Sequence, residues 1–273
     1  MKMDYPKIIS RAFHFSYKPK RWLPFFLLDT IFLLLVLFIF MNNISILTDV
    51  VAGGIGQSGD LDIAIPTLNA IFTIIPLILV WALARLWLTG AMIHQSRKEK
   101  ETRKSWTVSK NRIIPMILAS IITTIIGFIG GAIPSVGWLV SLVISWMFMF
   151  ILQAIVIDNL GSVESLKKSY SIFAKNPLDV FVIWLVVIVI SLAIVFVFSI
   201  PVISAFAGSF ITMAMTEPAA TESMAFLMFI LQQNLASTLA LGLIALIGME
   251  ISTVLAIKAQ TEFYLQVSKK RLF

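Results

Sequence analysis

The stretch from Pro76 to Gly90 reads PLILVWALARLWLTG, and its single charge, Arg85, lies between Trp81 and Trp87. It belongs to a longer apolar run, residues 66–92. A helix needs about 20 apolar residues to cross the roughly 30 Å hydrocarbon core of a bilayer. This run is therefore long enough to span a membrane, and it would hold an arginine inside it.

The composition of the whole chain indicates the same environment. Of its 273 residues 59% are hydrophobic and only 13% are charged, whereas soluble domains carry about 25% charged residues. Backbone groups in lipid must be paired within a helix or a closed barrel, and the runs lack the alternation of barrel strands. We therefore predict one all-α integral membrane domain over residues 1–273, with six transmembrane helices. The predicted spans are residues 22–41, 66–92, 113–133, 137–157, 178–203 and 236–257.

The basic residues predict the orientation. Every lysine and arginine except Arg85 lies in one of four segments, residues 2–21, 97–112, 167–175 and 258–271. Given six spans, all four segments fall on the same side of the membrane. Short loops rich in lysine and arginine stay in the cytoplasm. We therefore expect a multi-pass protein of the cell membrane with both termini cytoplasmic.

Two segments on this side have the pattern of helices that lie in the membrane interface, residues 4–16 and 162–175. In the first, Tyr5, Ile8 and Ala12 share one helical face, while Lys7 lies elsewhere. With the similar basic segment 103–115, they indicate three repeats of an interfacial helix followed by a helical hairpin. The alternative is that the charge and aromatic preferences of the inner membrane surface make all three segments look alike.

The sequence contains no motif that supports the activity of a soluble enzyme. The glycine-rich segment 53–60, GGIGQSGD, resembles a dinucleotide fingerprint but follows a spanning helix instead of a strand. The chain has no cysteine, and its only histidines, His14 and His94, are not spaced as paired metal ligands. No HExxH, GxSxG or Walker motif occurs. We therefore predict no enzymatic activity, no cofactor and no metal.

Three charged residues lie deep within the predicted spans, and a charge inside a membrane is costly enough to be a functional hypothesis. Asp29, Arg85 and Glu250 each come seven or eight residues from the inner end of a span. At 1.5 Å per residue this places all three about 10 to 12 Å deep. An arginine pairs well with carboxylates at its own level. The hairpin of the first two spans makes Asp29 the natural partner of Arg85.

Two interpretations of this charged cluster remain open. Arg85 either reaches the interface or forms a static bridge that sets the helix register. Alternatively, the three residues line a cytoplasm-facing cavity that binds an ion, an anionic headgroup or a solute. Gln153 and Asp179 are candidates for the polar lining of such a cavity. Gln153 could instead bond across helices, and Asp179 could interact with a helix dipole.

A set of basic residues on the predicted cytoplasmic side, here called the basic rim, is a candidate surface for lipid headgroups or partner proteins. Each basic residue near an anionic membrane contributes about 1 kcal/mol of attraction. We therefore expect anionic lipids as partners and not nucleic acid. The basic rim comprises Lys98, Lys104, Lys110, Arg112, Lys167, Lys168 and Lys175.

Three stretches resemble a family of small polytopic membrane proteins of bacteria and archaea. They are SRAFHFSYKPKRWLPF, residues 10–25, SVESLKKSYSIFAKNPLDVFVIWLVV, residues 162–187, and TEFYLQV, residues 261–267. That family includes the membrane domain attached to some glycerophosphodiester phosphodiesterases, together with uncharacterised stand-alone relatives. The resemblance implies a six-span layout. The catalytic barrel of the phosphodiesterases is absent, so their activity is not implied, and no role follows for Asp29, Arg85 or Glu250.

These observations favour transport of an ion or a small, anionic solute through a cytoplasm-facing polar cavity. The alternative is a lipid-binding or scaffold protein that recruits anionic lipids or partner proteins through the basic rim. A third hypothesis, an enzyme acting on lipid within the membrane, requires a carboxylate pair open to the headgroup layer, which Asp29, Glu250 and the acids at the membrane boundary could supply.

Overall fold

The computed structural model describes residues 3–42, 61–216 and 223–269, and these residues form helices and short connections without any strand. The glycine-rich segment 53–60 lies outside the described residues. Nine helices are present in the described part: α1 Tyr5–Ser16, α2 Pro19–Asn42, α3 Leu61–Arg97, α4 Thr102–Gly131, α5 Gly137–Met147, α6 Ile151–Ile157, α7 Ser162–Lys175, α8 Pro177–Thr216 and α9 Ser223–Lys269.

Within the described residues, six segments are helical, long and apolar enough to cross a membrane, which confirms the prediction of a six-span, all-α membrane protein. They are Pro19–Ile39, Phe72–Arg97, Thr102–Gly131, Gly137–Ile157, Pro177–Gly208 and Ala236–Ser268. The last segment extends well past the predicted end at residue 257. Hydropathy ended that window at Lys258, but the helix continues because Ala259, Phe263 and Tyr264 are fully buried against other helices.

Helix α1 packs with its apolar face on α9. Ile8 and Ala12 are fully buried in the cluster that contains Phe263 and Tyr264, whereas Lys7 is exposed. The side chain of Asp4 accepts a hydrogen bond from the backbone N–H of Lys7 at 3.2 Å and caps the start of the helix. The amphipathic pattern of the sequence therefore corresponds to a helix whose apolar stripe is covered by another helix.

Helix α4 is continuous from Thr102 to Gly131, with Pro115 inside it. The basic segment 103–115 is therefore the first part of a spanning helix and not a separate one. Its Ser109 hydroxyl donates to the Trp87 carbonyl of α3 at 2.6 Å. Gly90 allows this close approach, because a Cβ there would lie 2.9 Å from the Met116 side chain and still closer to that of Ser109.

The fourth span is broken between α5 and α6, at residues 148–150. Phe148 and Phe150 leave helical geometry, with φ near −108° and −106° and ψ near 11° and 13°. Non-helical backbone at membrane depth is tolerated only where it is buried in protein. Ser169 of α7 supplies that cover: its hydroxyl donates to the Met147 carbonyl at 2.8 Å and accepts from the Phe150 N–H at 3.1 Å.

We expect Ser169→Ala to lower the free energy of unfolding by about 1 to 3 kcal/mol, because it leaves buried backbone groups at the break without partners. Ser165→Ala is the matched control. Ser165 is equally buried on α7, but its hydroxyl donates to the Ser162 carbonyl of its own helix. Detergent-induced unfolding followed by circular dichroism measures both variants. Equal losses would show that Ser169 does not support the break.

Candidate functional site

Arg85, Asp29 and Glu250 form one cluster, here called the triad, where α2, α3 and α9 meet. An Arg85 guanidinium nitrogen donates to one oxygen of Asp29, and Trp81 Nε1 donates to the other at 2.7 Å. The guanidinium also donates to Glu250 Oε1, at 3.3 Å from each terminal nitrogen. The structure thus brings together the three charged residues that the sequence placed at one depth.

The triad is enclosed by protein and by aromatic rings. The Glu250 side chain is fully buried, that of Asp29 is 9% exposed, and that of Arg85 is 26% exposed. The Arg85 guanidinium carbon lies 5.5 Å from the Trp81 ring centroid and 5.8 Å from that of Phe25, within the range of cation–π attraction.

The charges of the triad do not balance. One guanidinium faces two carboxylates, so the cluster is neutral only when it also binds one further positive charge, either a proton or a monovalent cation. A net charge at membrane depth is strongly disfavoured. The triad is therefore neutral when one of its carboxylates is protonated or when a monovalent cation is bound.

A second ionic cluster lies where α1 and the end of α3 meet α9, and we call this end of the bundle the basic end. Its centre is Lys258, whose side chain is only 5% exposed. The ammonium group donates to the Ser96 carbonyl at 2.6 Å and to Glu99 at 3.4 Å, and it forms an ion pair with Glu262 at 2.9 Å. Three oxygens therefore surround the buried charge of the lysine.

Arg21 is buried beside this lysine, with 2% of its surface exposed. Its guanidinium donates to the Gln95 side chain and to the Glu99 carbonyl. The Arg21 guanidinium carbon and Lys258 Nζ lie 4.5 Å and 5.0 Å from the centroid of the Phe15 ring. Cation–π contacts with Phe15 therefore help to hold two cations in a buried environment.

Glu99 connects the loop after α3 to α9 and to the short turn between α1 and α2. It pairs with Lys258 at 3.4 Å and with Lys18 at 3.5 Å. Partial burial acts to raise the pKa of Glu99, but the charges of the two lysines outweigh burial and the pKa lies below its ordinary value. Glu99 therefore stays ionised at neutral pH.

A cavity of about 480 Å³ opens among these residues, here called the polar cavity. Helix α1 contributes Ser10, Arg11 and His14 to its wall, and α9 contributes Lys258 and Glu262. The end of α3 and the loop after it complete the wall with Ser96, Arg97 and Glu99. No residue of the triad lines this cavity.

An apolar layer separates the polar cavity from the triad. On α9, Glu250, Val254 and Lys258 follow each other at intervals of one helical turn, and on α2 the same spacing joins Arg21, Phe25 and Asp29. Eight residues of helix span about 12 Å. The layer consists of Phe25, Leu88, Met92 and Val254, all of them buried.

Gln153 and Asp179 lie away from both charged clusters. Gln153 bonds across helices to Gln260 at 3.3 Å, and its own side-chain oxygen is buried without a hydrogen-bond partner in the described part of the chain. Asp179, in the first turn of α8, accepts from the Tyr5 hydroxyl at 2.5 Å. Burial, with this bond and the charge of Asp179, raises the pKa of Tyr5. Neither predicted residue lines the polar cavity.

The basic rim divides into paired and unpaired residues. Lys98 and Lys104 lie 3.1 Å and 3.7 Å from Glu101, and Lys168 lies 3.8 Å from Asp158. The others make no hydrogen bond or ion pair within residues 3–42, 61–216 and 223–269. These unpaired residues are Lys110, Arg112, Lys167 and Lys175.

The sequence interpretation missed the cluster around Lys258 and the polar cavity. It counted Lys258, Arg21 and Arg11 only as flanking basic residues. A signal was present, since charged residues recur two turns apart on α2 and α9 with an apolar residue between them. The partners of these charges come from four different segments, and sequence spacing does not relate those segments.

The family model described as "Domain of unknown function (DUF7847)" matches residues 129–267, slightly more than half of the chain. The chain belongs to the DUF7847 family. No curated protein and no solved structure shows significant similarity to it.

In this DUF7847 protein the matched region runs from the end of α4 almost to the end of α9. It contains Glu250 of the triad and both Lys258 and Glu262 of the second cluster, whereas Asp29 and Arg85 lie before it. Both charged clusters of the DUF7847 protein thus join the matched region to helices outside it.

Proposed function

We propose that this protein transports an ion or a small, anionic solute across the cell membrane. In this proposal the polar cavity is the entrance and the triad is the charged site inside the membrane. The apolar layer between them is the barrier that must open during transport. The absence of recognisable catalytic motifs from the sequence supports a role without enzymatic chemistry.

The observation that carries the proposal is the unbalanced charge of the triad at membrane depth. A static bridge needs one carboxylate for one guanidinium, and a second buried carboxylate, Glu250, only adds to the desolvation cost. Carboxylates that take up and release protons or ions are characteristic of transport pathways. The triad therefore supports coupling of the solute to a cation.

We further propose that both termini are cytoplasmic and that the helical hairpins are repeats of one unit. The positive-inside rule supports a cytoplasmic location for the basic end and for both termini. Two equivalent contacts support repeated hairpins: Ser109 donates to the carbonyl of Trp87, and Ser169 donates to that of Met147, each 22 residues earlier in the chain. We also propose that this chain is related to the membrane domain of some glycerophosphodiester phosphodiesterases.

A lipid-binding or scaffold function is the second candidate. The unpaired residues of the basic rim favour it, because Lys110, Lys167 and Lys175 are exposed and free to contact anionic headgroups or a partner protein. Such a function needs no opening of the apolar layer. The two candidates therefore differ in whether water ever reaches Val254.

Cysteine reactivity in inside-out vesicles tests this difference, since the chain has no cysteine of its own. Three conservative variants are labelled with a membrane-impermeant thiol reagent: Ser10→Cys in the polar cavity, Val254→Cys in the apolar layer, and Ala119→Cys. Ser10 is an exposed residue of the cavity wall, whereas Val254 and Ala119 are both fully buried. Transport predicts fast labelling at 10, slow but measurable labelling at 254, and none at 119.

Labelling at 254 no faster than at 119, with 10 still reactive, would reject an opening pathway through the apolar layer. The triad would then be a static bridge, and the lipid-binding or scaffold function would become the better account. A lack of reaction at 10 would instead show that the polar cavity is closed to the cytoplasmic solution, which contradicts its proposed role as the entrance.

A further inference from the structure

The hydrogen bonds around the polar cavity show which of its groups remain available to a ligand. Lys258 already donates to the Ser96 carbonyl and to Glu99, and it also forms an ion pair with Glu262. Each carboxylate is paired with two cations, since Glu262 also binds Arg11 at 3.2 Å and Glu99 also binds Lys18 at 3.5 Å. The carboxylates are therefore neutralised within the protein, and they leave little negative field in the cavity.

Several hydrogen-bond donors of the polar cavity, by contrast, have no acceptor within the described residues. Arg97 makes one hydrogen bond, to the Ile157 carbonyl at 3.0 Å, and Arg11 makes one, to Glu262. A guanidinium carries five N–H donors, so each arginine keeps several. The hydroxyl of Ser96 is buried and has no partner within the described residues. Buried polar groups are normally paired, so an orphan hydroxyl beside a cavity is available to a ligand or a water molecule.

The charge of the wall has the same sign as these donors. Three cations, Arg11, Arg97 and Lys258, face two carboxylates. Guanidinium groups bind phosphate oxygens in a bidentate manner that a lysine cannot match. A cavity of about 480 Å³ is within the usual range for small ligands.

We infer that the polar cavity binds a phosphate-type oxyanion between Arg11 and Arg97, with the Ser96 hydroxyl as an additional donor. The anion is either a free phosphate-bearing solute or the phosphate of a lipid headgroup, since both present the same oxygens. The inference deepens the proposed function and rests on it for the identity of the solute class. The site itself is defined by the three donors.

Binding is tested on the full-length protein, purified in detergent and free of phosphate, by equilibrium dialysis with radiolabelled inorganic phosphate. We expect saturable binding that chloride at equal ionic strength does not displace. Arg11→Gln and Arg97→Gln should each weaken it about tenfold or more, since each removes charge-assisted hydrogen bonds. Ser96→Ala should weaken it by a smaller factor.

Two matched controls carry the same charge change outside the cavity. Lys7→Gln lies on α1 like Arg11, and Lys100→Gln lies in the loop that follows Arg97. Both should bind phosphate as the wild type does. The inference is wrong if chloride displaces phosphate equally well, or if the controls lose as much affinity as Arg11→Gln and Arg97→Gln. If an arginine variant does not fold, the test rests on the wild type: phosphate binding that is not saturable, or that chloride displaces, would contradict the inference.

Competition with dihexanoyl phosphatidic acid distinguishes the two sources. A headgroup site predicts that this short-chain lipid displaces radiolabelled phosphate at much lower concentration than unlabelled phosphate does, whereas a solute site predicts the reverse. The cysteine experiment remains independent of this result. If phosphate binds but the Val254→Cys variant does not react, the phosphate site is supported and transport is rejected. If phosphate does not bind but the Val254→Cys variant reacts, the phosphate site is rejected and transport is supported.

Discussion

Arg85→Ala should lower the free energy of unfolding by about 3 to 5 kcal/mol, the cost of leaving buried charge without its partner. The substitution leaves the carboxylates of Asp29 and Glu250 next to each other without a guanidinium. Both side chains are at least nine-tenths buried, so solvent gives little relief. Denaturation in mixed micelles, followed by tryptophan fluorescence, measures the loss.

A neutral triple variant separates the lost ion pair from lost packing. Asp29→Asn combined with Arg85→Gln and Glu250→Gln removes every charge, keeps the shape of both acidic side chains and shortens only that at position 85, so it should recover most of the stability. If Arg85→Ala alone stayed within about 0.5 kcal/mol of the wild type, the carboxylates would have to be solvated or protonated without cost. The premise of an excluded, charged site would then be wrong.

The same triple variant also distinguishes structure from function at the triad. A static bridge serves only stability, so a stable neutral variant should keep the reactivity of Val254→Cys and any transport. A coupling site depends on the charges themselves. We expect the neutral variant to fold normally but to lose cation-dependent opening of the apolar layer, measured as labelling at position 254 with changing pH and sodium.

Gly248→Ala should destabilise the protein by about 1 to 3 kcal/mol through steric overlap between α8 and α9. A Cβ at position 248 would lie 2.7 Å from Phe198 Cγ and still closer to Phe198 Cβ. Phe198 Cβ is attached directly to the backbone, so rotation of the side chain cannot remove the contact. The two long helices would have to separate along the face that they share.

Gly242→Ala is the matched control for this substitution. It lies less than two turns away on α9, and a Cβ there would meet no atom within 4 Å in the described structure. Its effect should stay within about 0.5 kcal/mol, as for other substitutions away from packed contacts. Thermal unfolding of both variants in the same detergent gives the comparison, and equal effects would mean that α8 and α9 do not pack closely at position 248.

Hydropathy was sufficient to predict the class and the number of spans, because lipid requires each crossing helix to be apolar over its own length. That requirement is local in sequence. The same reasoning placed Asp29, Arg85 and Glu250 at one depth, since each residue adds a known rise along its helix. The structure then shows these three residues in contact. From the sequence, we could predict this contact only for Asp29 and Arg85, because they lie on the two helices of one hairpin.

Features that depend on neighbouring helices were not predictable in this way. The break at residues 148–150 forms where Ser169 of another helix can bond the freed backbone groups. Lys258 looked like the end of a span, yet it is buried because Ser96 and Glu99 accept its hydrogen bonds and Glu262 pairs with its charge. Neither the helix break nor the burial of Lys258 can be recognised from the sequence of a single segment.

The sequence by itself therefore determined an all-α, six-span membrane protein with three charges at membrane depth. Only the tertiary structure decided that the charges form an unbalanced triad, and that a polar cavity lies one apolar layer away from it. The physical reason is that the solvation of a helix by lipid acts residue by residue along the chain. Pairing of buried charges and closure of a cavity depend instead on side chains from helices that are distant in sequence.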